Sequence, residues 1–150
     1  MRKYILVIIL LLATPLLGAY RKSVDFLASA IAVNATVTKV NGTDFTSVEV
    51  NLSYPPDLPT IGALTVTFTR AAGSASTVDF EFQVSYDGGT SWTTAYYVRI
   101  QVATNETAVS NVVKVTKPVY LYGISHMRLY RIVNNDGANN LTVCNAKISL

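Results

Sequence analysis

Two runs of alternating side chains dominate the chain. Val78, Phe80, Phe82, Val84 and Tyr86 alternate with Asp79, Glu81, Gln83 and Ser85, and Tyr96, Val98, Ile100 and Val102 alternate with Tyr97, Arg99 and Gln101. A period of two marks a strand with one apolar and one wet face. Between the runs, Asp87-Gly88-Gly89 supplies the positive backbone angles of a tight turn, so the two are expected to pair as a hairpin.

The same period recurs on either side. Strands are predicted at 33–40 and 45–54, joined through Asn41-Gly42, and at 64–68. Further strands are expected at 109–115 and 119–122, divided by Lys117-Pro118. At 125–133, Met127 and Leu129 point inward and His126, Arg128, Tyr130 and Ile132 lie opposite. At 142–150, Thr142, Cys144, Ala146, Ile148 and Leu150 alternate with Val143, Asn145, Lys147 and Ser149. The three prolines of Pro55-Pro56-Asp57-Leu58-Pro59 force a loop, because proline cannot donate to a ladder. Many short strands with regular turn signals and no long helical pattern predict an all-β fold. The expected architecture is a two-sheet antiparallel β-sandwich, jelly-roll-like, whose strand order the pattern leaves open.

The N-terminus differs from the rest. Met1-Arg2-Lys3 precedes the unbroken apolar run 4–12, and Ala13-Thr14-Pro15-Leu16-Leu17-Gly18-Ala19 follows. This reads as a signal peptide over residues 1–19, cleaved after Ala19, or as a retained membrane anchor. Residues 20–37 form an apolar arm that mixes helical and strand spacing. Such an arm is a candidate donor strand, able to complete the sheet of another copy by β-augmentation. Residues 38–150 are then the sandwich domain. Removing residues 20–37 is expected to leave a folded domain that no longer polymerises.

Composition narrows the partners. Of 150 residues, 50% are hydrophobic and only 14% charged, against about a quarter in ordinary domains. The net charge of +3 is concentrated by Arg2, Lys3, Arg21 and Lys22, which flank the apolar run. The rest is nearly neutral and has no basic cluster, so nucleic acid is not an expected partner. Cys144 is the single cysteine, which excludes an internal disulfide; its place in an alternating run predicts a buried small apolar residue.

Ser85, Asp87, Gly89 and Trp92 form the pattern Ser-x-Asp-x-Gly-x-x-Trp. It resembles the Asp-box, the hairpin motif of sialidases and other β-propellers. The resemblance covers eight residues and implies that Asp87 accepts turn amides while Trp92 packs beneath. One copy cannot build a propeller, so the motif reads as a structural turn. Asp79 and Glu81 share one strand face about 7 Å apart, the range of a glycosidase pair, but alternation produces that spacing without any catalytic purpose. With one histidine, His126, and no nucleophile beside it, no catalytic set is evident and no enzyme is expected. Asp79, Glu81 and Asp87 are calcium candidates; no other cofactor is implied. His126, Arg128 and Tyr130 form a candidate contact patch.

Five Asn-x-Ser/Thr sequons start at Asn34, Asn41, Asn51, Asn105 and Asn140, all in turns or at outward positions, where a glycan needs to be. The protein is therefore expected to be secreted or held at a cell surface. In general character it resembles the small secreted β-sandwich subunits of archaeal cell-surface filaments and viral jelly-roll decoration proteins. That resemblance implies a structural subunit of a filament, tube, layer or virion, with copies of itself as partners and the membrane reached only through an uncleaved N-terminus. The alternative is a secreted carbohydrate-binding module that stacks glycans on Tyr96, Tyr97, Tyr120, Tyr122 or Tyr130.

Overall fold

Alternating apolar residues at 61–69 and 78–85 build the two central strands, one in each sheet. The computed structural model describes residues 23–27, 31–33, 36–38, 47–52, 61–70, 76–103, 111–135 and 140–150. These hold ten strands: β1 (Ser23–Asp25), β2 (Ile31–Val33), β3 (Thr36–Thr38), β4 (Val50–Asn51), β5 (Ile61–Thr69), β6 (Val78–Ser85), β7 (Val98–Val102), β8 (Val112–Tyr120), β9 (His126–Asn134) and β10 (Leu141–Ser149). All pairings are antiparallel, in two sheets.

The first sheet runs β1-β10-β5-β8, with β2 beside β1 along the same flank of β10. The second runs β3-β9-β6-β7, with β4 beside β3 along β9. Counting β1 with β2 and β3 with β4 as one position each leaves eight positions. The first then pairs with the eighth, the second with the seventh, the third with the sixth and the fourth with the fifth. That is one long hairpin rolled into a sandwich, the jelly roll. Its tip is β6–β7, the hairpin expected from the sequence.

Phe68 stacks on Phe80 across the sheets with ring centroids 5.9 Å apart. Leu64, Val66, Phe82, Ile100, Met127, Leu129, Ile132, Cys144 and Ile148 complete the fully buried centre. The arm belongs to it. Phe26 is fully buried and meets the Phe82 ring edge-on at 5.1 Å, and Leu27 is buried next to it. At this point the chain kinks: Phe26 N–H donates to Ala146 O on one side, Phe26 O accepts from Val48 N–H on the other, and Leu27 bridges Ser47. This kink ties the first sheet to the segment that becomes the edge of the second.

Several elements depart from the simple period. The segments expected to form a hairpin through Asn41-Gly42 are not paired with each other in the described residues; β3 and β4 both pair with β9 instead. The Asn41-Gly42 turn itself lies outside the described residues. β8 passes unbroken through Lys117-Pro118, because it is a sheet margin where proline is tolerated. A bulge in β9 turns Tyr130 and Arg131 both outward and Ile132 into the core, so Ile132 is not on the His126–Arg128–Tyr130 face. A second bulge, in β10 at Val143 (φ 53°), turns Leu141 rather than Thr142 inward. Tyr86 and Tyr96 are exposed; β6 ends at Ser85 and β7 starts only at Val98. Gly62 gives close packing where β5 begins: a Cβ there would stand 2.9 Å from Leu121 Cδ1 and 3.2 Å from Ser149 O, so the Leu121 side chain would have to shift.

Candidate functional site

The polar side of β6 is not wet. Asp79, Glu81, Gln83 and Ser85 are all buried, although they lie on the outer face of the second sheet. What covers them is a set of arginines from the neighbouring strands. Glu81 receives Arg131 on Oε2 from Nη2 at 2.7 Å and Nε at 2.8 Å, and Arg99 Nε stands 4.0 Å from Oε1. Arg99 Nη1 is 3.7 Å from Asp79 Oδ2. Arg128 donates to Gln83 Oε1 from Nη2 and Nε at 2.8 and 3.1 Å, and reaches Glu49 at 3.6 Å. Burial lowers the Arg128 pKa, and the Glu49 charge works against that shift. The register sets up this ladder: Glu81 stands between Arg99 on β7 and Arg131 on β9, and Gln83 opposite Arg128.

The turn 85–92 closes the top of this face. Ser85 Oγ donates to Asp87 Oδ1 at 2.7 Å and accepts from Gly89 N–H at 2.9 Å. Asp87 Oδ1 also accepts Ser91 N–H at 2.9 Å, and Ser91 Oγ donates to Oδ2. These hydrogen bonds, the Ser91 hydroxyl first, hold the Asp87 carboxyl well below the usual carboxylate range. Gly88 and Gly89 take φ of 77° and 89°, which side chains other than glycine rarely adopt. Gly88 N–H donates to Ser125 Oγ, and Ser125 N–H to Ser85 O, which fastens the turn to the start of β9. His126 lies under Gly89. Trp92 does not reach the core; its ring lies 4.0 Å from the Arg128 guanidinium, which it covers from outside.

The sequence-derived candidates are therefore brought together only in part. Ser85, Asp87, Gly89, Trp92, His126 and Arg128 share one end of the second sheet. Tyr130 lies further along β9, beside Arg131. Glu81 is paired closely with Arg131, whereas Asp79 meets Arg99 only at 3.7 Å through Oδ2 and its buried Oδ1 has no hydrogen-bond partner among the described residues. Asp87 has both carboxylate oxygens engaged within its own turn. No group of three potential metal ligands occurs among the described residues. Arg131 is not among the sequence-derived candidates. Arg131 had one visible signal, the two adjacent polar residues Tyr130-Arg131 between Leu129 and Ile132, which is the trace of a bulge.

No protein-family model and no curated protein matches the chain. Of the five sequons, Asn51 and Asn140 lie on the described surface and both are exposed; Asn34, Asn41 and Asn105 lie outside the described residues. Burial pushes the Cys144 thiol up to about 12, which leaves it protonated and inert.

The tyrosines form a second grouping. Tyr97 Oη donates to Tyr120 O at 3.2 Å, and Tyr96 Oη accepts from Arg99 Nη2 at 2.7 Å while the guanidinium lies against its own ring. Partial burial, then the neighbouring Tyr86 phenol, raises the Tyr97 pKa. Tyr86, Tyr96, Tyr97, Tyr120 and Tyr122 are all exposed at the end of the sandwich where β6 and β8 finish.

Proposed function

We propose that this protein is a structural subunit of an extracellular assembly and that copies join by exchanging the N-terminal arm. The observation that carries this reading is the seat of the arm. β1 and β2 occupy an outer position along β10 and, among the described residues, pair with no other strand of the first sheet. Between the two, Phe26 and Leu27 nevertheless enter the core. A segment held at an edge by a few ladder bonds and two apolar plugs is the kind of element that one copy donates to another at little cost, because every contact is remade in the acceptor.

The opposite margin supports the same reading. β8 is nine residues long and, among the described residues, paired on one side only; it carries Lys114, Lys117 and Pro118, the residues that discourage direct edge-to-edge addition. Association by simple extension at β8 is disfavoured, and joining through the arm does not require that margin. Exposed Asn51 and Asn140 fit a glycosylated surface.

Ser23 and Ser149 are register partners whose hydroxyl oxygens lie 3.4 Å apart. A Ser23→Cys protein and a Ser149→Cys protein, mixed and oxidised, report the arm's destination. Arm exchange yields a mixed disulfide dimer between the two variants. A Ser23→Cys/Ser149→Cys protein that closes only internally, with no cross-linking in the mixture at any concentration, refutes the exchange. Negative-stain electron microscopy of the same samples shows whether exchange leads to filaments, tubes or sheets.

A further inference from the structure

One residue of the arm touches both halves of the fold. Phe26 N–H donates to Ala146 O at 2.8 Å, and Phe26 O accepts Val48 N–H at 2.6 Å. Its backbone is thus held by the first sheet on one side and by the segment leading into β4 on the other. Its ring is fully buried and meets Phe82 edge-on at 5.1 Å. The residues before it contribute less to the interior. Ser23 and Asp25 are exposed, and Val24 is half-buried against the core. They do set the register. Ser23, Val24 and Asp25 pair residue for residue with Ser149, Ile148 and Lys147, whereas the β2 pairs Ile31–Cys144 and Val33–Leu141 straddle the bulge at Val143. Asp25 stands opposite Lys147, and opposite charges across a ladder favour pairing.

We propose that the seat of the arm is a peptide-binding site. It takes an extended strand supplied by another chain, and it selects that strand by an aromatic anchor at the place of Phe26, preceded by an acidic residue at the place of Asp25. The proposal rests on the arm being displaceable, as in the exchange reading, and adds what the seat recognises.

Ladder hydrogen bonds can be made by any backbone without proline, so they give affinity without choice. Choice comes from the side chain that fills the interior. With the arm displaced, the place of the Phe26 ring against Phe82 is empty. An alanine there leaves a cavity, and a polar side chain is buried without a partner. The outward neighbour acts more weakly: a lysine at the place of Asp25 sets two like charges opposite each other across β10.

The test uses the full chain carrying Ser149→Cys, with or without Phe26→Leu, and a synthetic peptide of residues 23–33 carrying Ser23→Cys. Ser23 and Ser149 are register partners, so a mixed disulfide reports the peptide in the seat, and Cys144 is buried. Phe26→Leu in the protein loosens its tethered arm while keeping most of the ring's volume. It is expected to lower the peptide concentration for half-maximal cross-linking about fivefold. In the same host, Phe26→Ala in the peptide is expected to raise that concentration about a hundredfold, and Asp25→Lys about threefold. Equal cross-linking by the parent and Phe26→Ala peptides overturns the proposal, because the thiols then meet without the anchor. So does a Phe26→Leu host that forms no cross-link with the parent peptide. The exchange reading stands or falls separately. Mixed dimers of whole chains carrying Ser23→Cys and Ser149→Cys, together with peptides that do not discriminate, keep the exchange and refute the anchor. Peptides that discriminate, with no mixed dimer, support the site and refute exchange between copies.

Discussion

Replacing Phe26 by alanine is expected to destabilise the domain by about 3–5 kcal/mol. The ring is fully buried and lies edge-on to Phe82 at 5.1 Å, so its removal forfeits the transfer of the ring and leaves a cavity at the junction of the two sheets. A single domain has only about 5–15 kcal/mol in hand, so this one change brings the variant close to its unfolding midpoint. The assay is urea unfolding followed by Trp92 fluorescence. Phe26→Leu, which keeps most of the volume, is expected to cost less than about 1.5 kcal/mol and guards against a variant that does not fold. Tyr120→Ser, at an exposed position, is the control and is expected to stay within about 0.5 kcal/mol of the parent. A loss below about 1 kcal/mol for Phe26→Ala would refute the seating of the arm in its own core. The same geometry alters the outcome expected for deleting residues 20–37. That deletion removes β1, β2 and most of β3 along with Phe26 and Leu27, so it should cost the fold itself, and not polymerisation alone, unless the arm is supplied from another molecule.

Other substitutions test other parts of the framework. Val143 is β-branched, 59% exposed and held at φ 53°, so Val143→Gly should raise stability by about 1 kcal/mol in thermal or urea unfolding; a loss would show that no strain resides there. Arg131→Gln leaves Glu81, whose side chain is only 3% exposed, with only the more distant Arg99; because Arg131 is itself about one-third exposed, the expected loss is about 2 kcal/mol rather than the full cost of a buried unpaired charge, and a Glu81→Gln/Arg131→Gln double variant should recover part of it. The Asp87 carboxyl is depressed in the folded state, so the stability it adds is complete above the ordinary aspartate pKa of about 4 and is lost only as the pH falls through the lower folded value. Carboxyl chemical shifts should therefore show no Asp87 titration between pH 7 and 4; a midpoint near 4 would contradict the hydrogen-bonded turn.

The period-two runs at 61–69 and 78–85 made the sandwich legible, because apolar alternation directly encodes which face meets the other sheet. The turn at Ser85–Trp92 was legible for a different reason: its residue types carry their own hydrogen bonds. Pairing was less accessible. Thr36 and Val50 are not partners of each other but lie at two places along β9, and nothing local in either segment names that partner. Bulges at Tyr130 and Val143 each insert one residue and reverse the facing of the residues beyond it, which is why Ile132 read as outward. The polar face of β6 misled most. Asp79, Glu81 and Gln83 read as solvent-facing, but long arginines from the strands on either side fold over them, and burial by side chains from elsewhere leaves no local signature.

The rolled-hairpin pairing also sets an order in time. β6 and β7 are close in sequence and can meet early, whereas β1 and β2 pair, among the described residues, only with β10, the described strand farthest from them in sequence. Loop closure of that span is the most demanding in the chain. From its emergence until β10 has been made, the β1–β2 segment lacks the strand it pairs with. During that interval a neighbouring chain that already exposes its β10 flank competes for the same segment at equal contact energy. Under the proposed arm exchange, whether a copy closes on itself or links to another would then depend on local concentration at the moment of synthesis.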